Sequence, residues 1–578
     1  MKSASDPAQA GDTLQCDLVI VGSGASGLSA AVVAARLGLD VVVAEKEPVI
    51  GGTSAWSGGW LWIPRNPLAL AAGQVESLDE IRTYLRAELG NSYDEQIIET
   101  FLAQGPRMVA FFEQETEVKF FNGATLPDFH GNLPGAASGG RAVCAQPFDG
   151  RRLGKDIALL RPPLDLVSPL GMGIASGADM GHFFNMFQRW PSFLHVTRRV
   201  GRHLMDRVRH GRGMHLVNGN ALVARLLKSA LDLKIRIMPA SPVIELLRGQ
   251  TRIEGVVIAG PGGRTRLLAR RGVILAAGGF PHDVLRRARL FAHAPTGAEH
   301  WSAAPRGNTG DGLRLGESAG GVVRDDLSAG GGWVPVSLVP NPGGADGHFP
   351  HLVERAKPGL IIVRADGRRF CNEANSYHDV ISALIETTPP GEPLEAWLVC
   401  DHRFIRRYGL GRVRPRPFLL GPWLRNGYLK QGRSLEALAQ ACGISPQGLR
   451  DTVERFNGFA RQGRDTDFGR GETAFNRAMG EPAHQPHPNL GELVKGPYYA
   501  VRIVPGSLST FAGLRTDDRA RVLDGERQPV PGLYAVGNDM SSIANGRYPA
   551  GGFTLGPGMT FGYIAAHDAA GVPLEDAP

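Results

Sequence analysis

A glycine-rich turn between a strand pattern and a helical pattern is the feature that most constrains the fold of this chain. Apolar residues at 18–21 run into Gly22, Gly24 and Gly27 in G-x-G-x-x-G spacing, and a helical pattern covers 28–37. Gly22 permits a tight turn, Gly24 lets the backbone approach a pyrophosphate, and Gly27 lets helix and strand pack closely. The arrangement predicts a Rossmann-type α/β unit whose helix N-terminus faces the diphosphate of a dinucleotide.

An acidic residue stands where such a unit needs one. The apolar run 41–44 predicts a second strand, and Glu45 follows it directly. A carboxylate at this place accepts hydrogen bonds from a ribose diol. A glycine-rich turn in an ordinary parallel sheet would leave Glu45 unexplained, so the complete pattern favours dinucleotide binding.

Length and cysteine usage limit the class of protein. The 578 residues suffice for two or more domains with large cores. No apolar run approaches the roughly 20 residues of a membrane span, and the N-terminus lacks the apolar core of a secretory signal. The 5 cysteines are scattered without metal-binding spacing. We therefore expect a cytoplasmic protein with reduced thiols and no metal site.

The positive charge is concentrated in two segments. The chain carries a net charge of +7, and residues 198–212 and 406–416 are both basic and lie beside apolar and aromatic residues. Solvated helix faces over a core would explain them, and a surface that rests on anionic lipid headgroups is the sharper alternative. Membrane contact thus stays open. No nucleic-acid-binding motif accompanies the charge, so we expect no nucleic acid partner.

Later glycine-rich stretches indicate that the dinucleotide domain is discontinuous. They combine strand or helix patterns with glycines at 271–281, 307–321 and 531–539. Between them, the composition shifts to a mixed pattern rich in Arg and Pro. We therefore predict a Rossmann-type domain built from residues 1–335 and 497–578, with an inserted α+β catalytic cap at 336–496.

Two segments favour FAD over NAD. Residues 45–64 contain two Gly-Gly pairs and small side chains, which suit a backbone that runs close to an extended diphosphate and ribityl chain. Residues 551–566 begin as a glycine turn and become a helix. A helix N-terminus aimed at the pyrimidine edge of a flavin stabilises the anionic reduced ring.

These motifs together resemble one flavoprotein family, which includes fumarate reductases, succinate dehydrogenase flavoprotein subunits and 3-ketosteroid dehydrogenases. The matching stretches are VGSGASGLSAA, GGTSAWSGGWLWIP, AAGGF, GNTGDG, GLIIVRADGRRFCNEANSYHD, GLYAVGND and RYPAGGFTLGPGMTFGYIAA. The resemblance implies FAD and hydride transfer across a carbon–carbon bond next to a carbonyl or carboxylate. Some members attach FAD through a histidine near 51–59, where this chain has none. We therefore expect non-covalent FAD.

The expected cofactor site follows from these motifs. It comprises Gly22, Gly24, Ala25, Ser26, Gly27, Glu45, Lys46, Gly52, Thr53, Ser54, Ser57, Gly58, Gly59, Ala277, Gly278, Gly310, Asp311, Gly537, Asn538, Gly552 and Leu555.

Three positions argue against a dicarboxylate substrate. Where the resemblance to fumarate reductases would require cationic or imidazole groups, this chain has Tyr377, Ser509 and Pro549. Two carboxylates need several cationic donors, because an unpaired buried anion is costly. A neutral ketone needs only one or two donors on its oxygen. The residues thus favour a ketone.

The resemblance to ketosteroid dehydrogenases implies roles for three residues. Tyr548 and the Gly552 N–H match the donors that hold the substrate carbonyl, and Tyr377 matches the tyrosine that removes the α-proton. Two such donors would stabilise a developing enolate. A helper tyrosine of that branch is missing, since no tyrosine lies between Tyr93 and Tyr377. We expect His130 to substitute for it, although a structural histidine on a loop is an alternative.

The expected reaction is oxidative desaturation of a ring ketone, most readily of a 3-ketosteroid at C1–C2. Trp56, Trp60, Trp62 and the apolar residues of 183–190 could wall a flat hydrophobic site or belong to the core. An external acceptor such as a quinone would reoxidise the flavin. Alternatives are Δ4-(5α)-dehydrogenation, a smaller cyclic ketone such as 4-oxocyclohexane carboxylate, and a non-catalytic flavin-binding redox partner. A fumarate-type reductase is less favoured.

Overall fold

The strands and helices alternate along the chain as an α/β protein requires. The computed structural model describes residues 13–260, 263–417 and 419–574. The strands are Thr13–Val21 (β1), Val41–Ala44 (β2), Trp60–Trp62 (β3), Phe120–Asn122 (β4), Ala142–Ala145 (β5), Phe148–Asp149 (β6), His215–Leu216 (β7), Arg236–Met238 (β8), Val243–Arg248 (β9), Ile253–Gly260 (β10), Gly263–Leu275 (β11), Trp301–Ser302 (β12), Gly331–Val339 (β13), Gly347–Pro350 (β14), Leu360–Val363 (β15), Ala396–Cys400 (β16), Lys430–Gly432 (β17), Tyr498–Thr510 (β18), Arg521–Leu523 (β19) and Pro529–Ala535 (β20). The helices are Ala25–Arg36 (α1), Pro67–Ala71 (α2), Leu78–Leu89 (α3), Glu95–Glu115 (α4), Ala178–Phe184 (α5), Trp190–His210 (α6), Asn218–Asp232 (α7), Val284–Leu290 (α8), Asp311–Ser318 (α9), Tyr377–Thr387 (α10), His402–Tyr408 (α11), Gly421–Arg425 (α12), Leu435–Cys442 (α13), Pro446–Gln462 (α14), Ala474–Met479 (α15) and Leu555–Ala570 (α16).

The first sheet carries the predicted dinucleotide unit. Its central strands β8, β2, β1, β11 and β20 are mutually parallel. β19 pairs antiparallel with β20, and β10 pairs antiparallel with both β11 and β9. The strand-turn-helix-strand prediction at the start of the chain is confirmed, and the α/β fold class with it. The helix begins at Ala25 rather than at 28, because the glycine turn leads directly into the first helical turn.

A second, mostly antiparallel sheet lies in the middle of the chain. It runs in the order β14, β13, β18, β16 and β15, with the short strands β12 and β17 paired to β18. Because β12 and β18 lie outside 336–496, and β13 crosses residue 335, this sheet extends beyond the predicted cap bounds. The domain boundaries therefore stay a prediction.

The last helix returns to the first. The Ser29 hydroxyl of α1 donates to the Met559 carbonyl of α16 at 3.1 Å. A side chain at Gly562 would approach the Ser26 carbonyl to 2.8 Å, so the two helices are in close contact there. This contact brings the C-terminal glycine turn to the first strand. Within the described residues, we find no helix that is both long and apolar enough to cross a bilayer.

Candidate active site

One large cavity, of about 2150 Å³, opens at the carboxyl ends of the parallel strands. Its walls include the segments that follow β1, β2, β11 and β20. Ligands of open α/β sheets bind at this edge, where backbone N–H groups and helix N-termini point outward. Segments within 121–129, 161–220, 349–415 and 475–483 contribute much of the remaining wall.

Most of the predicted cofactor residues line this cavity. Those that do are Gly22, Gly24, Ala25, Ser26, Glu45, Lys46, Gly52, Thr53, Ser54, Ser57, Gly58, Gly59, Ala277, Gly278, Asp311, Gly537, Asn538, Gly552 and Leu555. Gly27 and Gly310 are not in the wall. A side chain at Gly27 would come within 2.2 Å of the Gly22 carbonyl, so this glycine serves packing.

Gly24 shows that the turn fits a bound diphosphate. Its φ is −65°, which any residue can adopt, and a Cβ there would meet only the Ser54 hydroxyl, at 3.5 Å. The protein's own packing therefore does not require glycine at this position. The free space lies at the N-terminus of α1, where the helix dipole and unpaired N–H groups favour a phosphate. A glycine here keeps room for a ligand, as FAD would need.

Glu45 is held in place by a residue that sequence reasoning missed. Its carboxylate accepts hydrogen bonds from both the N–H and the hydroxyl of Ser23, and from the Glu47 N–H at 2.8 Å. The side chain is buried and lines the cavity. Three donors orient the carboxylate before any ribose arrives. The x position of G-x-G carries no signal by itself, so Ser23 could be found only from the structure.

Lys46 and Asp311 face each other across the cavity wall. The Lys46 ammonium contacts the Asp311 carboxylate at 2.7 Å, the Thr309 hydroxyl at 2.7 Å and the Gly307 carbonyl at 2.9 Å. These contacts clamp the 307–311 loop to the end of β2. The predicted cofactor contact of Lys46 stays a prediction, because its ammonium already has three partners.

A buried carboxylate shapes the turn after β11. Asp539 accepts hydrogen bonds from the N–H groups of Ala277 and Gly279. Burial raises the pKa of Asp539 to about 6, although the two N–H groups favour the charged form. Sequence reasoning placed Ala277 and Gly278 in the cofactor site but did not identify the residue that holds them. The signal was the Asp that ends the GLYAVGND motif.

The catalytic candidates Tyr377 and Tyr548 meet in the cavity wall. Tyr377 opens α10, and its hydroxyl donates to the Tyr548 hydroxyl at 3.0 Å. Both residues and Gly552 line the cavity. Because Tyr548 accepts this hydrogen bond, its own hydrogen stays available for a ligand oxygen.

The turn that follows Tyr548 is held by hydrogen bonds from two residues distant in sequence. The Pro549 carbonyl accepts hydrogen bonds from the Tyr84 hydroxyl at 2.6 Å and from the Phe129 N–H at 2.9 Å. Gly552 has a φ of +96°, which favours glycine, and a Cβ there would meet the Trp60 backbone at 2.8 Å. No acceptor for its N–H lies among the described residues, so this N–H is a second donor available to a ligand.

Both tyrosines are neutral in this environment. Burial, and then the neighbouring Tyr548 hydroxyl, raise the pKa of Tyr377 well above its ordinary value. The Arg355 charge acts in the opposite direction and is outweighed. Burial also raises the pKa of Tyr548. A free phenolate is therefore disfavoured, and the pair is better suited to pass protons than to hold a negative charge.

Phe129 occupies the place beside the tyrosine pair. Its ring centroid lies 5.8 Å from that of Tyr377 and 5.5 Å from that of Tyr548, both edge-on, and 4.7 Å from that of Phe475. The residue before His130, which was expected to replace the missing helper tyrosine, thus places an apolar ring beside the pair. Its role is to hold the two phenols in position.

The structure does not bring His130 to the tyrosine pair. Its ring nitrogens contact the Glu88 carboxylate at 2.9 Å and the Asp379 carboxylate at 3.0 Å. Burial opposes the charge, but these two carboxylates outweigh it and raise the pKa of His130 to about 10. The residue is a charged imidazolium outside the cavity wall. The expectation that it replaces the helper tyrosine therefore finds no contact in the structure, because both nitrogens are already engaged.

The charged residues of the segment Arg-Phe-Cys-Asn-Glu at 369–373, which precedes α10, belong to a buried ionic network. The Arg369 guanidinium contacts the Glu373 carboxylate at 2.6 Å and the Asp465 carboxylate at 2.7 Å. Arg470 adds a contact of 3.1 Å to Glu373. Arg355 donates to the Glu373 carbonyl at 2.7 Å. These bonds fix the segment that enters α10 and so set the position of its first residue.

The surroundings of the tyrosine pair are aromatic rather than cationic. The rings of Phe129, His378 and Phe511 lie within 6 Å of the Tyr548 ring. Arginines line the cavity elsewhere: Arg161, Arg189, Arg207, Arg212, Arg412 and Arg414. Ser509 also lines it, and its buried hydroxyl has no partner among the described residues. Trp56 and Trp60 are in the wall, whereas Trp62 is core and binds Asp128.

Known proteins share this architecture over almost the full chain. The FAD binding domain family matches residues 17–555. A 4-oxocyclohex-2-ene-1-carboxylate 5-dehydrogenase of Sinomonas cyclohexanicum is 39% identical over 96% of this chain and 94% of its own length. A 3-oxosteroid 1-dehydrogenase of Mycolicibacterium smegmatis is 37% identical over 96% of this chain and 97% of its own length.

A solved structure agrees with the sequence relatives. The crystal structure of a 3-ketosteroid delta1-dehydrogenase from Sterolibacterium denitrificans in complex with 1,4-androstadiene-3,17-dione superposes with a TM-score of 0.89. It is 35% identical and covers 96% of this chain and 99% of its own. FAD as the cofactor is thereby confirmed, and its non-covalent attachment stays a prediction. The chain belongs to the FAD binding domain family and is an FAD-dependent oxidoreductase.

Proposed function

We propose that the protein desaturates a ring ketone next to its carbonyl group, with a 3-ketosteroid oxidised at C1–C2 as the first candidate substrate. The observation that carries this proposal is the 3.0 Å hydrogen bond between Tyr377 and Tyr548 in the cavity wall. The available donors there, the Tyr548 hydroxyl and the Gly552 N–H, suit one carbonyl oxygen. The names of the relatives support the same reaction class.

Three proton movements follow from the direction of that hydrogen bond. Tyr548 donates its hydroxyl proton to the ketone oxygen, and Tyr377 passes its own proton to Tyr548. Tyr377 then takes the α-proton, so the substrate becomes an enol and both phenols end neutral. This relay avoids a buried phenolate, which the raised pKa values disfavour.

The second half of the reaction removes a hydride. FAD, when bound, supplies the acceptor for the hydride that leaves the β-carbon. Loss of this hydride and of the enol hydroxyl proton leaves the α,β-unsaturated ketone. The aromatic residues around the tyrosines keep water away from the reacting carbons. An external acceptor of the quinone type would complete the cycle.

A substrate screen tests the proposal. Purified FAD-loaded protein is incubated with androst-4-ene-3,17-dione, a 5α-saturated 3-ketosteroid and 4-oxocyclohexane carboxylate, with an artificial dye as electron acceptor. Mass spectrometry of the products should show loss of two hydrogens from a ring beside the ketone. Tyr377→Phe should abolish turnover and keep the bound flavin. Dye reduction by succinate but by none of the ketones, or reoxidation of the chemically reduced enzyme by fumarate, would refute the proposal.

A smaller ring ketone is the second candidate substrate. The Sinomonas relative bears the name of a cyclohexene carboxylate dehydrogenase. The cavity also has cationic residues away from the tyrosine pair, which a purely neutral steroid would not use. Rates measured side by side in the same screen rank the two candidates.

We also propose peripheral contact with a membrane through the outer face of α6. Trp190, Leu194 and Val208 are exposed by 73%, 60% and 88% of their surface. Arg198 and Arg202 lie on the same face, are exposed, and have no ion pair among the described residues. Interleaved apolar and basic residues on one helix face favour the surface of an anionic bilayer.

The same helix connects this face to the cavity. Its inner residues Val196, Val200 and Arg207 line the cavity wall. A substrate that partitions into lipid would therefore reach the cavity beside the contact surface. Flotation with vesicles of neutral lipid, and with vesicles containing about a third anionic lipid, tests this at low salt. Absence of binding to the anionic vesicles, or equal binding by an R198E/R202E variant, would refute the contact.

A further inference from the structure

We infer that Lys357 forms a cationic subsite in the cavity and binds an anionic group, a carboxylate, carried by the ring ketone substrate. This inference rests on the proposed desaturation and specifies its substrate class. The carboxylate could sit on a single ring or on the side chain of a larger polycyclic ketone. Both sources present the same chemistry to the ammonium group.

Lys357 is a buried cation without an anionic partner. Only 7% of its surface is exposed, and it lines the cavity. Its ammonium donates to the Gly480 carbonyl at 2.6 Å and lies 5.3 Å from the centre of the Phe184 ring. No carboxylate of the described residues comes within 4.0 Å of it. An ammonium group has three donors, so two remain for a ligand.

The nearby acid is already paired. Glu481 also lines the cavity, and its carboxylate contacts the Arg407 guanidinium at 3.5 Å. Burial lowers the pKa of Lys357 to about 8, while Glu481 raises it and Arg407 lowers it further. A buried charge that is neither neutralised nor fully hydrogen-bonded is costly unless a ligand supplies the counter-charge. A bound carboxylate would do so.

The subsite is placed to meet the far end of a substrate. Gly480, which accepts the lysine hydrogen bond, directly follows α15, and Phe475 near the start of α15 contacts the Phe129 ring beside the tyrosines. At a rise of about 1.5 Å per residue, roughly 7 to 8 Å of helix separates these two positions. One molecule can therefore place its ketone at the tyrosines and an acid group at Lys357.

Paired substrates provide the test. Rates are measured for 4-oxocyclohexane carboxylate and its methyl ester, and for a 3-oxo-4-ene steroid with a carboxylate side chain and its methyl ester. For each pair, the quantity of interest is the ratio of kcat/KM for the acid to that for the ester. The wild type should prefer the acid in one pair, and the pair concerned identifies the carbon skeleton.

Substitutions separate charge recognition from a structural role. Lys357→Gln keeps a donor for Gly480 but loses the charge, and should lower the acid-to-ester ratio by about 10- to 100-fold. Lys357→Arg should largely keep the ratio. A merely structural lysine would change both rates by the same factor and leave the ratio unaltered. Arg414→Gln, at another cation of the cavity wall, and Arg406→Gln, at an exposed one, serve as controls.

The outcomes distinguish this inference from the proposed function. Turnover of neutral ketones with no preference for acids in the wild type, or an unchanged ratio in Lys357→Gln, refutes the subsite. The subsite is also refuted if the acid-to-ester ratio of kcat/KM falls in Arg414→Gln but not in Lys357→Gln. If no ketone is oxidised at all, the desaturation proposal fails, and flavin absorbance titrations with each acid and ester still report whether Lys357 selects the acid.

Discussion

Replacing Tyr548 with Phe removes one oxygen atom that has two tasks in the proposed relay. The Tyr548 hydroxyl donates to the substrate oxygen and accepts the hydrogen of Tyr377 at 3.0 Å. Loss of one oxyanion donor slows catalysis by about 10²- to 10³-fold, equivalent to about 2.7–4 kcal/mol. Because the proton path from Tyr377 is broken as well, we expect the upper end of this range or more.

The substitution also has a cost for folding that must be measured separately. Tyr377 loses the acceptor for its buried hydroxyl, and a buried polar group without a partner costs about 1–3 kcal/mol. Thermal unfolding and flavin content therefore accompany the rate measurements. Tyr534→Phe is the matched control, because its buried hydroxyl also loses one hydrogen bond, to Asp568 at 2.9 Å, outside the cavity.

Two assays follow different steps. Dye reduction measures complete turnover, and exchange of the substrate α-hydrogen with D₂O, followed by NMR, measures enol formation alone. Tyr548→Phe should lose both turnover and α-hydrogen exchange, while Tyr534→Phe should keep both activities. Retention of more than about a tenth of the wild-type turnover by Tyr548→Phe would refute the oxyanion role. Normal α-hydrogen exchange with lost turnover would refute the relay.

Three further predictions concern pH, the cofactor and stability. Since burial raises the pKa of both tyrosines, kcat of the wild type should show no rising limb from a phenol between pH 6 and 9. An ascending limb near pH 7–8 would instead indicate a preformed phenolate. Gly24→Val should fold but fail to retain FAD, as flavin absorbance and thermal unfolding would report, whereas Gly458→Ala, in an open position on a helix, should keep both. Glu373→Gln leaves Arg369 facing a single carboxylate and should lower the free energy of unfolding by about 3–5 kcal/mol in denaturant titrations. Burial disfavours the charged form of Glu373, but Arg369 and Arg470 outweigh it and hold the folded-state pKa of Glu373 below its unfolded value of about 4.3. The carboxylate therefore stabilises the fold above that pH, and this stabilisation is lost as the pH falls further. If the free energy of unfolding of Glu373→Gln fell with acid as steeply as that of the wild type, the reasoning would be contradicted.

The cofactor turn is predictable from sequence because its determinants are local. Gly22, Gly24 and Gly27 lie within six residues at a fixed spacing, and a Cβ at Gly27 would meet the Gly22 carbonyl of the same turn. The contact that requires glycine at position 22, with the Ala276 backbone, is distant in sequence. The tyrosine pair is predictable for another reason. Tyr377 and Tyr548 stand in motifs that resemble those of ketosteroid dehydrogenases, although 171 residues separate them. Here the resemblance, and not any periodicity, carried the prediction.

The residues that hold these groups could not be predicted, because their partners are distant in sequence. Ser23 orients Glu45, Asp539 holds the turn after β11, and Tyr84 supports the Pro549 carbonyl. Each bond depends on how separate elements pack, so even Asp539, which ends a recognisable motif, carries no local sign of the N–H groups that it binds. The cap boundaries were difficult for the same reason. The long strand β18 follows the expected insertion in the chain and forms the middle of its sheet.

Phe129 and His130 show why a missing motif residue need not be replaced by its neighbour. A helper hydroxyl is needed where a phenolate must be stabilised or supplied with a proton from outside. Here Tyr377 already donates to Tyr548, so a proton can move between the two phenols without a third. The apolar ring of Phe129 covers the tyrosine pair on one side. His130 forms ion pairs with Glu88 and Asp379 instead of contacting the pair. Since Asp379 lies in the first turn of α10, this ion pair fixes the helix that presents Tyr377. The loss of a helper tyrosine and the burial of the pair are therefore consistent with one mechanism, in which position rather than ionisation makes Tyr377 a base.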